Sequence, residues 1–164
     1  MKKEFVFVLG GLAIGFLLVS TLKKKKVVLF MGGLENSKTL KEQVTLFNSE
    51  NTHQVIAHSY REFDKLKNNI LKYPDSKIVL FSAGGKYAND IVDLYLVNPK
   101  DIFVIEPYTC NRVISQRIPK NNVYGGSSCE TGSNVAGIKR SDYGGKNHFD
   151  SLIEIGKFLK WKKN

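Results

Sequence analysis

Cysteine, histidine and acidic side chains are all scarce in this chain. The two cysteines, Cys110 and Cys129, form neither a zinc spacing nor a redox pair. That excludes a thiolate metal centre and a multi-disulfide framework. One bridge between them and two free thiols both stay open, and with them the redox compartment. No His, Cys or Asp cluster stands at ligand spacing, so no metal site is expected. Neither G-x-x-x-x-G-K-[ST] nor G-x-G-x-x-G occurs, which excludes the usual nucleotide loops although Gly84-Gly85-Lys86 follows an apolar run. Lys86 reads more simply as a solvated residue on a first helical turn. Acids number 15 against 25 Lys and Arg, leaving a formal charge of +10 and a pI near 9.6. The excess gathers at Lys23 to Lys26 and at Lys157, Lys160, Lys162 and Lys163. No nucleic-acid-binding motif accompanies it, so no specific nucleic acid is expected as a partner. Internal repeats, low-complexity linkers and a second domain boundary are absent as well.

What the chain does have is one long uncharged run, Phe5 to Leu22. About eighteen residues at 1.5 Å rise nearly cross a hydrocarbon core, so the run reads as a single transmembrane helix. A cleavable signal peptide is the rival reading. The length of the run opposes it, and so does the lack of a small-x-small site before Lys23 to Lys26. That lysine collar suits an anionic lipid surface. Four lysines against Lys2, Lys3 and the amino terminus favour a domain on the cytoplasmic side of a single-pass protein. Gly11 and Gly15 make a GxxxG pair through which two such helices would form a homodimer. Residues 1–26 are therefore assigned to an anchor and residues 27–164 to one domain.

Beyond the collar, apolar runs alternate with amphipathic stretches. Val27 to Phe30, Val55 to Ala57, Ile78 to Phe81 and Ile102 to Ile105 read as buried strands, and Val123-Tyr124 begins a fifth. Ser37 to Asn48, Arg61 to Lys72, Lys86 to Leu96 and His148 to Trp161 have helical spacing, the first with Asn36 or Ser37 as its cap. The expected fold class is α/β, with a mostly parallel sheet of about five strands and flanking helices. In such sheets ligands gather at the carboxyl ends of the strands.

Three features lie there. Leu80-Phe81-Ser82-Ala83-Gly84-Gly85 ends the third strand and enters a helix at once. Ser82 is thereby set on a tight turn beside helix amides, in the manner of a nucleophile elbow. Ser82 and Gly84 match the serine and last glycine of G-x-S-x-G, with Leu80 at the first-glycine position. Phe30-Met31-Gly32-Gly33-Leu34 ends the first strand, and the amides of Gly33 or Leu34 together with Ala83 would hold an oxyanion. Gly144-Gly145-Lys146-Asn147-His148 delivers a histidine before the last helix, placed to act as base toward Ser82. Of the other two histidines, His53 opens the second strand and His58 ends it.

The order of glycine loop, serine elbow and late histidine resembles the α/β-hydrolase family over roughly residues 27–164. The resemblance implies a triad running serine, acid, histidine along the chain. Glu130 is the first choice for the acid, with Glu106 as the alternative and Asp142 a third carboxylate near the histidine. It also implies a serine hydrolase, needing no cofactor, that cleaves an ester, thioester or related acyl bond; the apolar run adds the membrane anchor, and the small size of the domain an open site. The rival from a different class is a catalytically inactive hydrolase-like module serving as a membrane-bound structural or interaction protein.

Overall fold

The computed structural model describes residues 27–35, 38–94, 97–108, 114–125, 138, 142, 144 and 146–159. The anticipated membrane helix with Gly11 and Gly15, the lysine collar, Asn36, Ser37, both cysteines and Glu130 lie outside the described residues. Among the described residues no helix is long and apolar enough to cross a membrane.

Five parallel strands form one sheet: β1 Val27–Met31, β2 Gln54–His58, β3 Lys77–Phe81, β4 Ile102–Ile105 and β5 Val123–Tyr124, in the order β2-β1-β3-β4-β5. β1 and β3 are covered on both faces, which is why they read as unbroken apolar runs. Alternate residues sort into two cores. Leu29, Met31, Ile78, Leu80, Ile102 and Val104 pack on one face with Leu66 and Ile70 of α2 (Phe63–Lys72) and Ile91 and Val92 of α3 (Ala88–Asp93). Val28, Phe30, Val79, Phe81 and Ile105 pack on the other with Phe47 of α1 (Leu40–Phe47) and Leu152 and Ile155 of α4 (Asp150–Phe158). From β1 the chain steps one way to β2 and then back past β1 to β3. Crossovers of one hand must change face when the direction of travel reverses, which puts α1 and α2 on opposite sides. The reversal makes the carboxyl ends of β1 and β3 the switch point, the place where open α/β sheets bind ligands.

Helix starts differ from the sequence reading. α1 begins at Leu40 because Thr39 and Glu42 form a capping box: the Glu42 N–H donates to Thr39 Oγ1 at 3.3 Å and the Thr39 N–H to Glu42 Oε2 at 2.7 Å. Residues 82–87 form a 3-10 turn, and α3 starts only at Ala88.

His53 and His58 are both buried. Burial pushes each imidazole below the ordinary histidine range, partly opposed by the Gly156 backbone for His53 and by Glu62 for His58. The His53 ring lies against Phe47 at 6.0 Å between centroids, and neither of its nitrogens makes a hydrogen bond of ordinary geometry. His58 Nε2 is 3.3 Å from Asn69 Nδ2. Below about pH 6.5 the unfolded chain takes up protons that these rings resist, so stability is full above that pH and declines beneath it. Thermal melts are expected to show Tm falling from pH 7.5 to 5.5, at up to about 1.4 kcal/mol per pH unit per histidine. His53→Phe should flatten part of that slope; an unchanged slope contradicts the assignment.

Candidate active site

The turn after β3 forces Ser82 into the left-handed region, φ +50°, which costs a residue with a side chain about 1–2 kcal/mol. Only three non-glycine residues with positive φ occur among the described residues: Asn51, Ser82 and Glu106. Asparagine tolerates that conformation, whereas Ser82 and Glu106 hold it at the ends of the neighbouring strands β3 and β4. The surroundings fix the Ser82 turn. The Tyr108 N–H donates to the Ser82 carbonyl at 2.9 Å. A side chain at Gly33 would place its Cβ 2.6 Å from Ser82 Cβ and 3.0 Å from Oγ, so the loop after β1 lies directly on the serine. Leu80 turns away into the α2/α3 core and does not crowd the elbow.

Glu106 is 1 % exposed. Its N–H donates to the Tyr124 carbonyl at 2.7 Å, and its Oε1 accepts from Ser151 Oγ at 2.7 Å. Gly125, at φ +82°, backs the carboxylate so closely that a Cβ would sit 2.5 Å from Glu106 Cδ. The other oxygen, Oε2, lies 3.8 Å from His148 Nδ1. The His148 ring packs on Phe81, the neighbour of Ser82, at 4.7 Å between centroids, with about a third of its side chain open to solvent. At that distance the contact is longer than a hydrogen bond; it sets Nδ1 toward the carboxylate. No hydrogen bond joins Ser82 Oγ to His148. The link between them runs through Phe81, which precedes Ser82 in the chain and carries the His148 ring, and Ser82 itself is 8 % exposed.

The candidate acids differ in placement. Glu106 stands beside His148, Asp142 is exposed, and Glu130 lies outside the described residues. The oxyanion assignment needs correcting at Gly33, whose N–H donates to Gln43 Oε1 at 2.9 Å and is therefore spent. The Leu34 amide makes no bond among the described residues, and the Ala83 amide opens a helical turn without an intrahelical acceptor. Gly33 leaves room beside Ser82, and the Leu34 and Ala83 amides are the donors without an acceptor on these two turns among the described residues.

Two polar residues escaped sequence reasoning. Gln43 is fully buried and ties the loop after β1, its Nε2 donating to the Lys38 carbonyl at 3.0 Å. Ser151, also fully buried, anchors Glu106. Each interrupts the apolar face of its helix, Gln43 between Leu40 and Phe47 and Ser151 one turn before Ile155. A polar residue on a buried stripe was the signal that would have found them.

Comparison of the chain with protein-family models, with curated proteins and with solved structures returned no match in any of the three. The sheet order itself recurs among proteins of unrelated activity, so any functional argument rests on the site.

Proposed function

We propose that this chain is a membrane-anchored serine hydrolase of α/β-hydrolase type, acting on an ester, thioester or related acyl bond. The observation that carries the reading is the left-handed Ser82 at the strand-to-helix turn, next in the chain to Phe81, on whose ring the Glu106-paired His148 packs. Ser82 Oγ attacks the acyl carbon while His148 Nε2 takes its proton, and the tetrahedral oxyanion is held by the Ala83 and Leu34 amides. Collapse breaks the bond to the leaving group, which departs with the proton from His148. Water then adds to the acyl-serine by the same route and releases the acid. Glu106, oriented by Ser151, holds the imidazole and balances its transient charge. No cofactor enters this chemistry. The Phe5–Leu22 run and the lysine collar would keep the domain against the cytoplasmic leaflet, with pairing through Gly11 and Gly15.

A catalytically inactive module is the second reading, favoured by the lack of a direct Ser82–His148 hydrogen bond. Catalytic hydrogen bonds are often long before substrate arrives, so that gap does not decide between the two. Turnover does. The full chain in detergent is expected to hydrolyse a p-nitrophenyl ester with a burst of nitrophenol followed by a slower steady rate. A folded chain with neither burst nor turnover leaves only the inactive module.

A further inference from the structure

A cavity of about 290 Å³ opens between the ends of β1 and β2, lined by Leu34, Glu35, Ser59, Tyr60 and Arg61. Two structural links join it to Ser82. Leu34 follows Gly33, which lies on the serine side chain. Lys86, on the turn that Ser82 begins, sits over the Tyr60 ring at 5.2 Å. From this arrangement we infer that the cavity binds an anionic group on the substrate, a carboxylate or phosphate, carried at a short distance from the bond that Ser82 cleaves. The inference rests on the hydrolase reading for its cleavage step and on the cavity alone for its binding step.

The chemistry is that of a prearranged cation pair. Lys86 and Arg61 both lie over the Tyr60 ring, the ammonium at 5.2 Å and the guanidinium carbon at 5.3 Å from its centroid. Arg61 spends its Nε–H on the Tyr60 hydroxyl at 2.9 Å, which leaves both terminal amino groups of the fork for a bidentate partner. Lys86 also lies 4.6 Å from the Tyr87 ring, itself stacked on Phe63 at 4.3 Å, so an aromatic shelf steers the ammonium. Neither cation forms an ion pair within 4.0 Å with a described carboxylate. The Tyr60 hydroxyl bond raises the Arg61 pKa, and Glu35 adds a weaker push in the same direction. Counting Glu35 against Arg61 and Lys86 leaves one net positive charge, suited to a single anionic group. The spacing follows from the turn: four residues at about 2 Å rise separate Lys86 from Ser82 by about 8 Å. A short dicarboxylic monoester spans that distance.

Two measurements on the full chain in detergent separate this inference from the hydrolase reading. In the first, kcat/KM is compared for p-nitrophenyl monoesters of glutaric acid and of neutral pentanoic acid at low salt. The expected preference for the glutarate ester is about tenfold or more, falling with salt and collapsing toward unity in Arg61→Ala and Lys86→Ala. Turnover of the neutral ester should stay unchanged in both variants. Equal rates on the two esters, or equal losses on both in the variants, overturn the inference while the hydrolase stands. In the second, N-methylglutaramate, with an amide in place of the scissile ester, is titrated while backbone amide resonances of Ser59, Tyr60 and Arg61 are followed. Saturable shifts that vanish in Arg61→Ala and are absent with neutral N,N′-dimethylglutaramide support the site even if no ester is ever cleaved. Absence of shifts in the unsubstituted chain overturns it.

Discussion

Replacing His148 by alanine is expected to lower kcat on an aryl ester by on the order of ten-thousand-fold, with Glu106→Gln costing nearly as much and the double variant costing little more than His148→Ala alone. The reason is that the two side chains act as one unit. Glu106 has a single orientation available: Oε1 is held by Ser151 at 2.7 Å, Gly125 closes its back, and only Oε2 faces His148 Nδ1. A glutamine keeping its oxygen on Ser151 turns its amide nitrogen toward Nδ1. It then presents a donor where an acceptor is needed, which selects the wrong imidazole tautomer. Once the base is gone, the acid has nothing left to orient, hence the non-additivity. Losses that simply multiply in the double variant would mean that Glu106 and His148 act separately. Circular dichroism must stay unchanged for the comparison to count, because Glu106 is buried.

The largest effect on stability is expected at Gly156. Its Cα lies so close to the end of α1 that an added Cβ would fall 2.9 Å from the Phe47 carbonyl carbon and nearer still to its oxygen. Backbone cannot rotate aside as a side chain can, so α1 and α4 must separate. Gly156→Ala is expected to cost on the order of 3 kcal/mol, about 10 °C in Tm. Gly144→Ala is the natural comparison. A Cβ there meets nothing within 4 Å, and only the φ of +81° resists it, for about 1 kcal/mol. Because α4 carries Ser151 and follows His148, Gly156→Ala should lose activity along with stability. A Gly156→Ala chain that melts with the parent contradicts the described packing of α1 on α4.

The strands were legible because Val27–Met31, Lys77–Phe81 and Ile102–Ile105 are buried on both faces, and double burial writes a run that needs no tertiary knowledge to read. Ser82 was legible for a related reason: serine and small residues packed between a strand and a helix announce a tight turn. Its positive φ was not, since that follows from the Gly33 loop lying on it. The start of α1 was misread although Thr39-x-x-Glu42 spells a capping box, because Asn36 and Ser37 are good caps in isolation and only the reciprocal pair decides among them. The carboxylate beside His148 was harder still to read. Glu106 meets His148 because β4 lies beside β3 and the segment before α4 returns across Phe81. That contact between distant parts of the chain leaves no periodic trace. Ser151 and Gln43 did leave one, as polar interruptions of apolar helix faces.

The proposed hydrolase requires Ser82 to be an activated nucleophile. The direct measurement is to expose the full chain to a fluorophosphonate, digest it, and locate the adduct by mass spectrometry. One phosphonate per chain is expected, on Ser82, with labelling slowed at least a hundredfold in His148→Ala. An adduct on any other residue, or a folded chain that takes up no phosphonate, would contradict it.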